Sequence, residues 1–356
     1  MAETKMRQLR DELIATYGPW TAHSIHLGDG LYTFEPHVDP RLRRFVQIAS
    51  DIVAKPLSTL RVLDLACLEG HYGIEFALHG ATVVAIEGRE VNLAKAQFAK
   101  DVFSLSNLEL VRDDVRNLSR ERYGEFDVVL CLGILYHLDA PDAMEFMKSV
   151  FEACKRVAII DTLFSVGGTD SHTWNDKKYW GQYTQEHDQQ ATAEEQLKQL
   201  WYSIGNWRSF RLTRASLQNL FRHVGFTSAY ECLNPYEYTH PDWPKVATDD
   251  RHVVKPNRTT FVAIKGQRQQ LISSPITEAS AEKDAPERPE YYVSPPGTAR
   301  PTGLKGYADQ GETSGSWGKM RLNDWDSEGE AVRGIRAGSL RSPPSPPSSQ
   351  RRGYQR

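Results

Sequence analysis

Between residues 64 and 137, four sites that could do chemistry each follow a short apolar run. The first is Asp64-Leu65-Ala66-Cys67-Leu68-Glu69-Gly70, a carboxylate leading into a loop with small residues and a glycine. Small residues let the backbone approach a ligand closely. The second is Glu87, a carboxylate able to accept hydrogen bonds from both hydroxyls of a ribose. The third is Asp113-Asp114, able to accept from an adenine amino group. The fourth is Leu132-Gly133-Ile134-Leu135-Tyr136-His137, in which a histidine offers a base that titrates near neutrality. Taken singly, each has a plain structural alternative. Asp64 could be a helix N-terminal charge, and Glu87 a solvated strand-end charge. Asp113 and Asp114 could cap a turn, and His137 could pack on the rim and bond to backbone.

The elements that position these residues follow from periodicity. A helix is expected over 3–17. A second begins at Asp39-Pro40, an N-cap followed by proline at the first helical position, with Leu42, Phe45, Val46, Ala49, Ile52 and Val53 on one face. Short apolar runs then alternate with helical segments. Strands are expected at 61–65, 81–86, 108–111, 126–131 and 157–160, and helices at 70–78, 91–100 and from Asp139-Ala140-Pro141 to Ala153. This alternation implies a parallel sheet covered on both faces. After Asp161 it stops for about fifty residues. It resumes with a helix capped by Thr213, a strand opening at Gly225-Phe226, a long loop and a last strand at 259–264. In an open sheet of this kind, ligands bind at the carboxyl ends of the strands, near the switch in strand order. All four candidate sites fall on that rim.

Composition sets the limits. The chain has 356 residues, a net charge of −3 and 25% charged residues, which disfavours a general nucleic-acid coat or a polybasic membrane arm. No apolar run approaches the roughly 18 residues of a membrane span, and the N-terminus lacks a secretory core. Cys67, Cys131, Cys154 and Cys232 show no metal-ligand spacing, so no metal is expected and a reduced, cytoplasmic protein fits. The last 86 residues hold ten of the 19 prolines and ten of the 25 glycines, with few large aliphatic residues. Such a stretch cannot bury enough apolar surface to offset the entropy of ordering it. Three regions are therefore expected: an N-terminal helical extension and lid over 1–58, a catalytic domain over 59–267 with an insertion at 162–212, and a disordered tail over 268–356. Removing the tail is expected to leave cofactor affinity and melting temperature nearly unchanged, as calorimetry and thermal melting of the truncated chain would check.

The segments VLDLACLEG, Glu87, VRDDV and FDVVLCLGILYHL, in this order and spacing, resemble the class I S-adenosylmethionine-dependent methyltransferases. LTRASLQNLFRHVGF is similar to that family's helix before its sixth strand, and RTTFVAIKG to its antiparallel seventh strand. The likeness spans about 60–266. It implies a Rossmann-like α/β fold, a doubly wound seven-stranded sheet with an antiparallel last strand, and S-adenosyl-L-methionine as cofactor. It places Asp64, Ala66, Cys67 and Gly70 around the methionine end, Glu87 on the ribose, and Asp114, Val115 and Leu132 around the rest of the cofactor. Asp113 is the lesser candidate of its pair. Where the family usually has glycine, this chain has Ala66 and Leu68, and a position needing positive φ disfavours leucine. An NAD-linked enzyme would want a phosphate-binding GxGxxG in place of the acidic DLACLEG.

Methyl transfer from a sulfonium is an in-line displacement, so the protein mainly supplies alignment and exclusion of water. His137 is the candidate base if the acceptor must lose a proton, with Tyr136 beside it. The insertion carries four of the eight tryptophans. Trp174, Trp180 and Trp207 in it are expected to form an aromatic lid over the acceptor, or a satellite core. The segment from Trp20 to Pro36 is a second candidate lid, with His23 and His26 as pocket or loop residues. GILYHLDAP and the strand from Arg258 to Ile264 are also similar to the carboxymethyltransferases of transfer-RNA wobble uridine. That resemblance implies that Tyr136 and Arg258 hold the extra carboxylate of carboxy-S-adenosylmethionine, but no lysine stands where its third ligand would be. A small or medium-sized metabolite is the expected acceptor. An RNA-modifying enzyme and a catalytically silent cofactor-binding scaffold are the alternatives.

Overall fold

Strands that alternate with helices and are apolar on both faces can only be buried between two helical layers. The computed structural model of the chain, which describes residues 3–36, 39–232, 257–269 and 272–273, shows this arrangement. Helix α1 (Glu3–Tyr17) and a hairpin of β1 (His26–Gly28) and β2 (Leu31–Tyr32) precede α2 (Pro40–Val53). Asp39 caps α2, accepting from the Arg41 N–H at 2.9 Å, with proline at the first helical position. The alternation follows as β3 (Arg61–Leu65), α3 (His71–Leu78), β4 (Thr82–Glu87), α4 (Glu90–Val102) and β5 (Leu108–Arg112). It continues through α5 (Arg120–Tyr123), β6 (Phe126–Leu132), α6 (Asp142–Ala153) and β7 (Cys154–Leu163). Next come β8 (Asp170–Trp174), β9 (Lys177–Gln185), α7 (Ala193–Lys198), β10 (Arg208–Leu212), α8 (Arg214–Val224), β11 (Ser228–Cys232) and β12 (Arg258–Ile264).

Seven strands form one sheet in the order β11-β12-β7-β6-β3-β4-β5. Strands β7, β6, β3, β4 and β5 pair in parallel, and β12 runs antiparallel to both of its neighbours. This is the expected seven-stranded sheet with its antiparallel last strand. Alternate residues feed two cores. Val62, Val128 and Leu130 face α2, α3 and α4 through Phe45, Phe76 and Ala99. Leu63, Val129 and Cys131 face α6 and α8 through Met147, Leu220 and Phe221. The strand order switches between β3 and β6, so the loops after these two strands open the rim.

Three differences from the expected elements have physical reasons. Strand β7 is longer than 157–160 because β12 pairs along it as far as Arg258 opposite Leu163. Helix α6 begins at Asp142, three residues later than its acidic start at Asp139 suggested. Third, the region after Asp161, where the strand–helix alternation stops as expected, holds three strands of its own. Strands β8, β9 and β10 form an antiparallel sheet in the order β10-β9-β8, joined at Asn175-Asp176, both at positive φ as a tight hairpin requires. The expected tail lies outside the described residues apart from 268, 269, 272 and 273, and so does the long loop over 233–256. Among the described residues, no helix is long and apolar enough to cross a membrane.

Candidate active site

The loop after β3 builds the first wall. Ala66 and Leu68 both adopt positive φ, 53° and 50°, as does Gly70 at 83°. A Cβ on Gly70 would lie 3.1 Å from the Ala96 Cβ, so glycine is needed for both conformation and space. Leu68 carries the conformational cost that its type foretold, about 1 kcal/mol. Its side chain joins neither core. Leu68→Gly is therefore expected to raise stability by about 1 kcal/mol, read as a higher urea midpoint at unchanged slope.

Two buried carboxylates stand beside this loop. Asp64 accepts the Gly73 N–H at 2.8 Å and has no cationic side-chain partner among the described residues. Burial pushes its carboxyl up to about 7, against the Gly73 bond and with the charge of Glu87 adding to the rise. Glu87 accepts the Leu68 N–H at 3.0 Å and the Arg89 N–H at 2.8 Å, and burial raises its carboxyl as well. Two acids that resist ionisation side by side form a site for a cation with hydroxyls to donate. Cys67 is buried, and burial raises its thiol well above the ordinary range, so it serves as packing. Val115 is buried, and Leu132 is partly buried at the end of β6.

The acidic pair after β5 is engaged by its own neighbours. The Asp113 carboxylate accepts from the Tyr123 hydroxyl, from Asn117 at 2.8 Å and from Arg122 at 3.0 Å. Asp114 caps a short turn through the Arg116 N–H at 2.9 Å and pairs with the Arg116 guanidinium at 2.6 Å. Of the two, Asp114 is the more open.

Thr21 and Lys95, which hold the loop after β3, gave no signal in the sequence. Glu69 accepts from the Thr21 N–H and hydroxyl, both at 2.7 Å, and lies 3.5 Å from Lys95. Lys95, wholly buried, donates to the Pro19 carbonyl at 2.6 Å. These bonds fasten the segment from Trp20 to the β1–β2 hairpin against the loop after β3. They also carry His23 inward, while His26 stacks on Tyr32 at the exposed hairpin. The His23 ring stacks on His71 at 4.7 Å, and its Nδ1 lies 3.4 Å from Asp39. Burial alone would raise the Asp39 carboxyl. Arg41 and His23, with hydrogen bonds from Arg41 and Tyr72, instead hold it well below the ordinary range. His23, Asp39 and His71 have the composition of a metal site. However, Arg41 and Tyr72 already engage both carboxylate oxygens, and the adjacent guanidinium repels a cation. The group is therefore a hydrogen-bonded wall.

The same network reaches the ends of β6 and β7. Asp161, near the end of β7, accepts from Arg258 at 2.6 Å and Thr260 at 2.9 Å, and lies 3.8 Å from Arg41. The Arg258 guanidinium stands 5.8 Å from the Tyr136 ring centre. Tyr136 and Arg258 thus meet at the rim beside Gly133, where a Cβ would lie 3.3 Å from Arg258 and 3.9 Å from the tyrosine hydroxyl. The adjacent His137 holds Glu186 through Nδ1 at 2.8 Å. Burial would raise the Glu186 carboxyl, but His137 and the hydroxyl of Ser209 lower it. A carboxylate that fixes one ring nitrogen leaves the other to handle a proton.

The tryptophan lid needs correction. Trp174 is buried in the core against α6, its indole donating to Glu145 at 2.7 Å. Trp180, in β9, is tied to the start of α8 by its main chain, its backbone N–H donating to the Ser216 hydroxyl and its carbonyl accepting from the Thr213 N–H. Trp207 is exposed, with Arg208 over its ring. Trp174 and Trp180 follow the two-residue alternation of the small antiparallel sheet, which buries Tyr179, Phe210 and Trp174 against α6 and α8, while Trp207 precedes β10. The insertion reaches the rim in two places: Glu186 and Asn206 bond His137 beyond β6, and the turn after α7 accepts from Arg89 and Arg116 beyond β4 and β5.

Comparison with known proteins bears on the domain and the fold. Residues 62–156 match the family model described as a methyltransferase domain. The chain is 30% identical over 112 residues to the ubiquinone biosynthesis O-methyltransferase of Acinetobacter baumannii (strain AYE), covering 32% of this chain and 42% of that protein. It is 36% identical over 101 residues to the protein of the same name from Pseudomonas syringae pv. tomato, covering 28% and 40%. The chain thus spans about two-fifths of the length of these relatives. The N-terminal domain of EvdMO1, solved in the presence of SAH and D-fucose, shares the fold with a TM-score of 0.54 and 20% identity, over 75% of this chain and 98% of that one.

Proposed function

We propose that this chain, which has the fold of the class I S-adenosylmethionine-dependent methyltransferases and their methyltransferase domain over 62–156, transfers a methyl group from S-adenosyl-L-methionine to a small or medium-sized metabolite. The observation that carries this reading is the pair of buried acids, Asp64 and Glu87, at neighbouring strand ends beside a positive-φ loop. An ammonium and a sulfonium would offset the desolvation of Asp64, and a ribose would donate to Glu87. The Asp64 carboxylate would hold the methionine end, and Asp114, Val115 and Leu132 would line the rest. When bound, the cofactor supplies an activated methyl group, so the remaining work is alignment.

The acceptor would lie between the loop after β3 and the ends of β6 and β7. Tyr136, Arg258 and Arg41 would line it, with His23 forming the opposite wall. His137, oriented by Glu186, would take up the proton of a hydroxyl acceptor. An oxygen acceptor is consistent with the O-methyltransferase names of the sequence relatives. Mass spectrometry of metabolite extracts incubated with the protein and methyl-labelled cofactor tests the reading. One labelled methyl on a metabolite supports it, whereas label on RNA alone overturns it.

A second reading, carboxymethyl transfer to RNA, draws on the juxtaposition of Tyr136 and Arg258. The ion pair between Arg258 and Asp161 weighs against it, because that guanidinium is already neutralised. Tighter binding of carboxy-S-adenosylmethionine than of the unmodified cofactor would favour it.

A further inference from the structure

Arg89 follows Glu87 by two residues and stands at the N-terminus of α4, but its guanidinium does not cap that helix. It is buried and turned towards the insertion. One terminal nitrogen, Nη2, donates to the Tyr202 carbonyl at 2.8 Å and the Gln199 carbonyl at 2.9 Å, and Nε reaches the Leu197 carbonyl at 3.2 Å. These carbonyls belong to the C-terminal end of α7 and the turn beyond it, where backbone acceptors have no helical partner. A cation there is favoured by the helix dipole as well. The turn has a second latch. Arg116, which pairs with Asp114, also donates to the Ile204 carbonyl at 2.9 Å.

Between the two latches the Ile204 side chain lies on the backbone of Gly88. A Cβ on Gly88 would stand 2.6 Å from the Ile204 Cδ1 and 3.7 Å from the Asp113 carbonyl. Gly88 follows the candidate ribose acid and faces the loop after β5 that carries the candidate adenine acid. Ile204 is only partly buried, its side chain beside the residue that follows Glu87 and its carbonyl on the arginine that pairs with Asp114.

We propose that Ile204 is the outer wall of the nucleoside subsite, held over the adenine by the Arg89 and Arg116 latches. The insertion then completes the cofactor site, and its turn must release for the nucleoside to enter or leave. The inference rests on the cofactor reading above.

The test uses the full chain and S-adenosylhomocysteine, with adenosine and homocysteine as separate probes. Calorimetry gives affinity, and stopped-flow tryptophan fluorescence, with Trp201 in the turn as reporter, gives the dissociation rate. Ile204→Ala is expected to weaken S-adenosylhomocysteine and adenosine about tenfold and to leave homocysteine unaffected, because apolar burial is lost at one end only. Ile204→Val should recover most of the affinity. Arg89→Lys removes the fork that spans several carbonyls and should speed dissociation about tenfold. Ile204 lies on a surface turn, so its variants keep the test open if Arg89→Lys fails to fold. Unchanged affinity and dissociation rate in Ile204→Ala, with tight binding by the wild type, overturn the proposal and leave the cofactor reading standing. Absence of binding by the wild type overturns the cofactor reading, and the proposal with it.

Discussion

Asp64→Asn is expected to abolish binding of S-adenosylmethionine while raising the melting temperature of the unliganded protein above pH 7. The two effects share one cause. Asp64 is buried without a cation, and burial moves its carboxyl from 3.8 to about 7. The folded state therefore keeps a proton that the unfolded chain has released by about pH 5. Stability from this group is complete below about pH 4 and is lost as the pH rises through 7. Asparagine keeps an oxygen to accept the Gly73 N–H and carries no charge to desolvate, so the loss disappears. Cofactor binding reverses the preference, because its cationic end favours the ionised carboxylate. Affinity should fall about tenfold per pH unit below pH 7, with proton release on binding near that pH. Calorimetry in buffers of different ionisation enthalpy measures the proton count. A pH-independent affinity with no proton release would remove Asp64 from the site.

Glu87→Ala is expected to lose at least a hundredfold in cofactor affinity and to destabilise the fold as well. The carboxylate has two tasks. One oxygen accepts from Leu68 and the other from Arg89, so it fixes both the positive-φ loop and the start of α4. Alanine leaves two buried N–H groups unpaired, at about 1–3 kcal/mol each. It also removes the proposed acceptor for the ribose hydroxyls. Glu87→Gln keeps one acceptor oxygen and should fall between the two in both measurements, calorimetry with the cofactor and urea denaturation. Native affinity in Glu87→Ala would mean that the ribose is held elsewhere. Neither assignment touches the acceptor, so both can be tested before a substrate is identified.

What was legible in the sequence is what local pattern controls. The five apolar runs from Arg61 to Ile160 could be read as parallel strands because each is short and bounded by turn residues, and all but the edge strand β5 are buried on both faces. Asp64 and Glu87 were legible because strand ends fix the register of the residue that follows. Even the cost at Leu68 was visible, since its loop position required φ of one sign.

The tertiary structure decided what depends on contacts between distant segments. Asp39 reads as a helix cap in the sequence, and it is one. Its carboxylate also gathers Arg41, Tyr72 and His23 from three segments, which no local period encodes. Trp174, Trp180 and Trp207 suggested a lid because aromatic composition does not specify a direction. Strand alternation, fixed only when β8, β9 and β10 pair, turned Trp174 into the core. Arg89 and Ile204 are more than a hundred residues apart and carry no motif. That Ile204 lies on Gly88 and Arg89 bonds the turn follows from where the insertion docks, and so the sequence alone determined the strand-end acids of the candidate site, and packing determined what stands outside them.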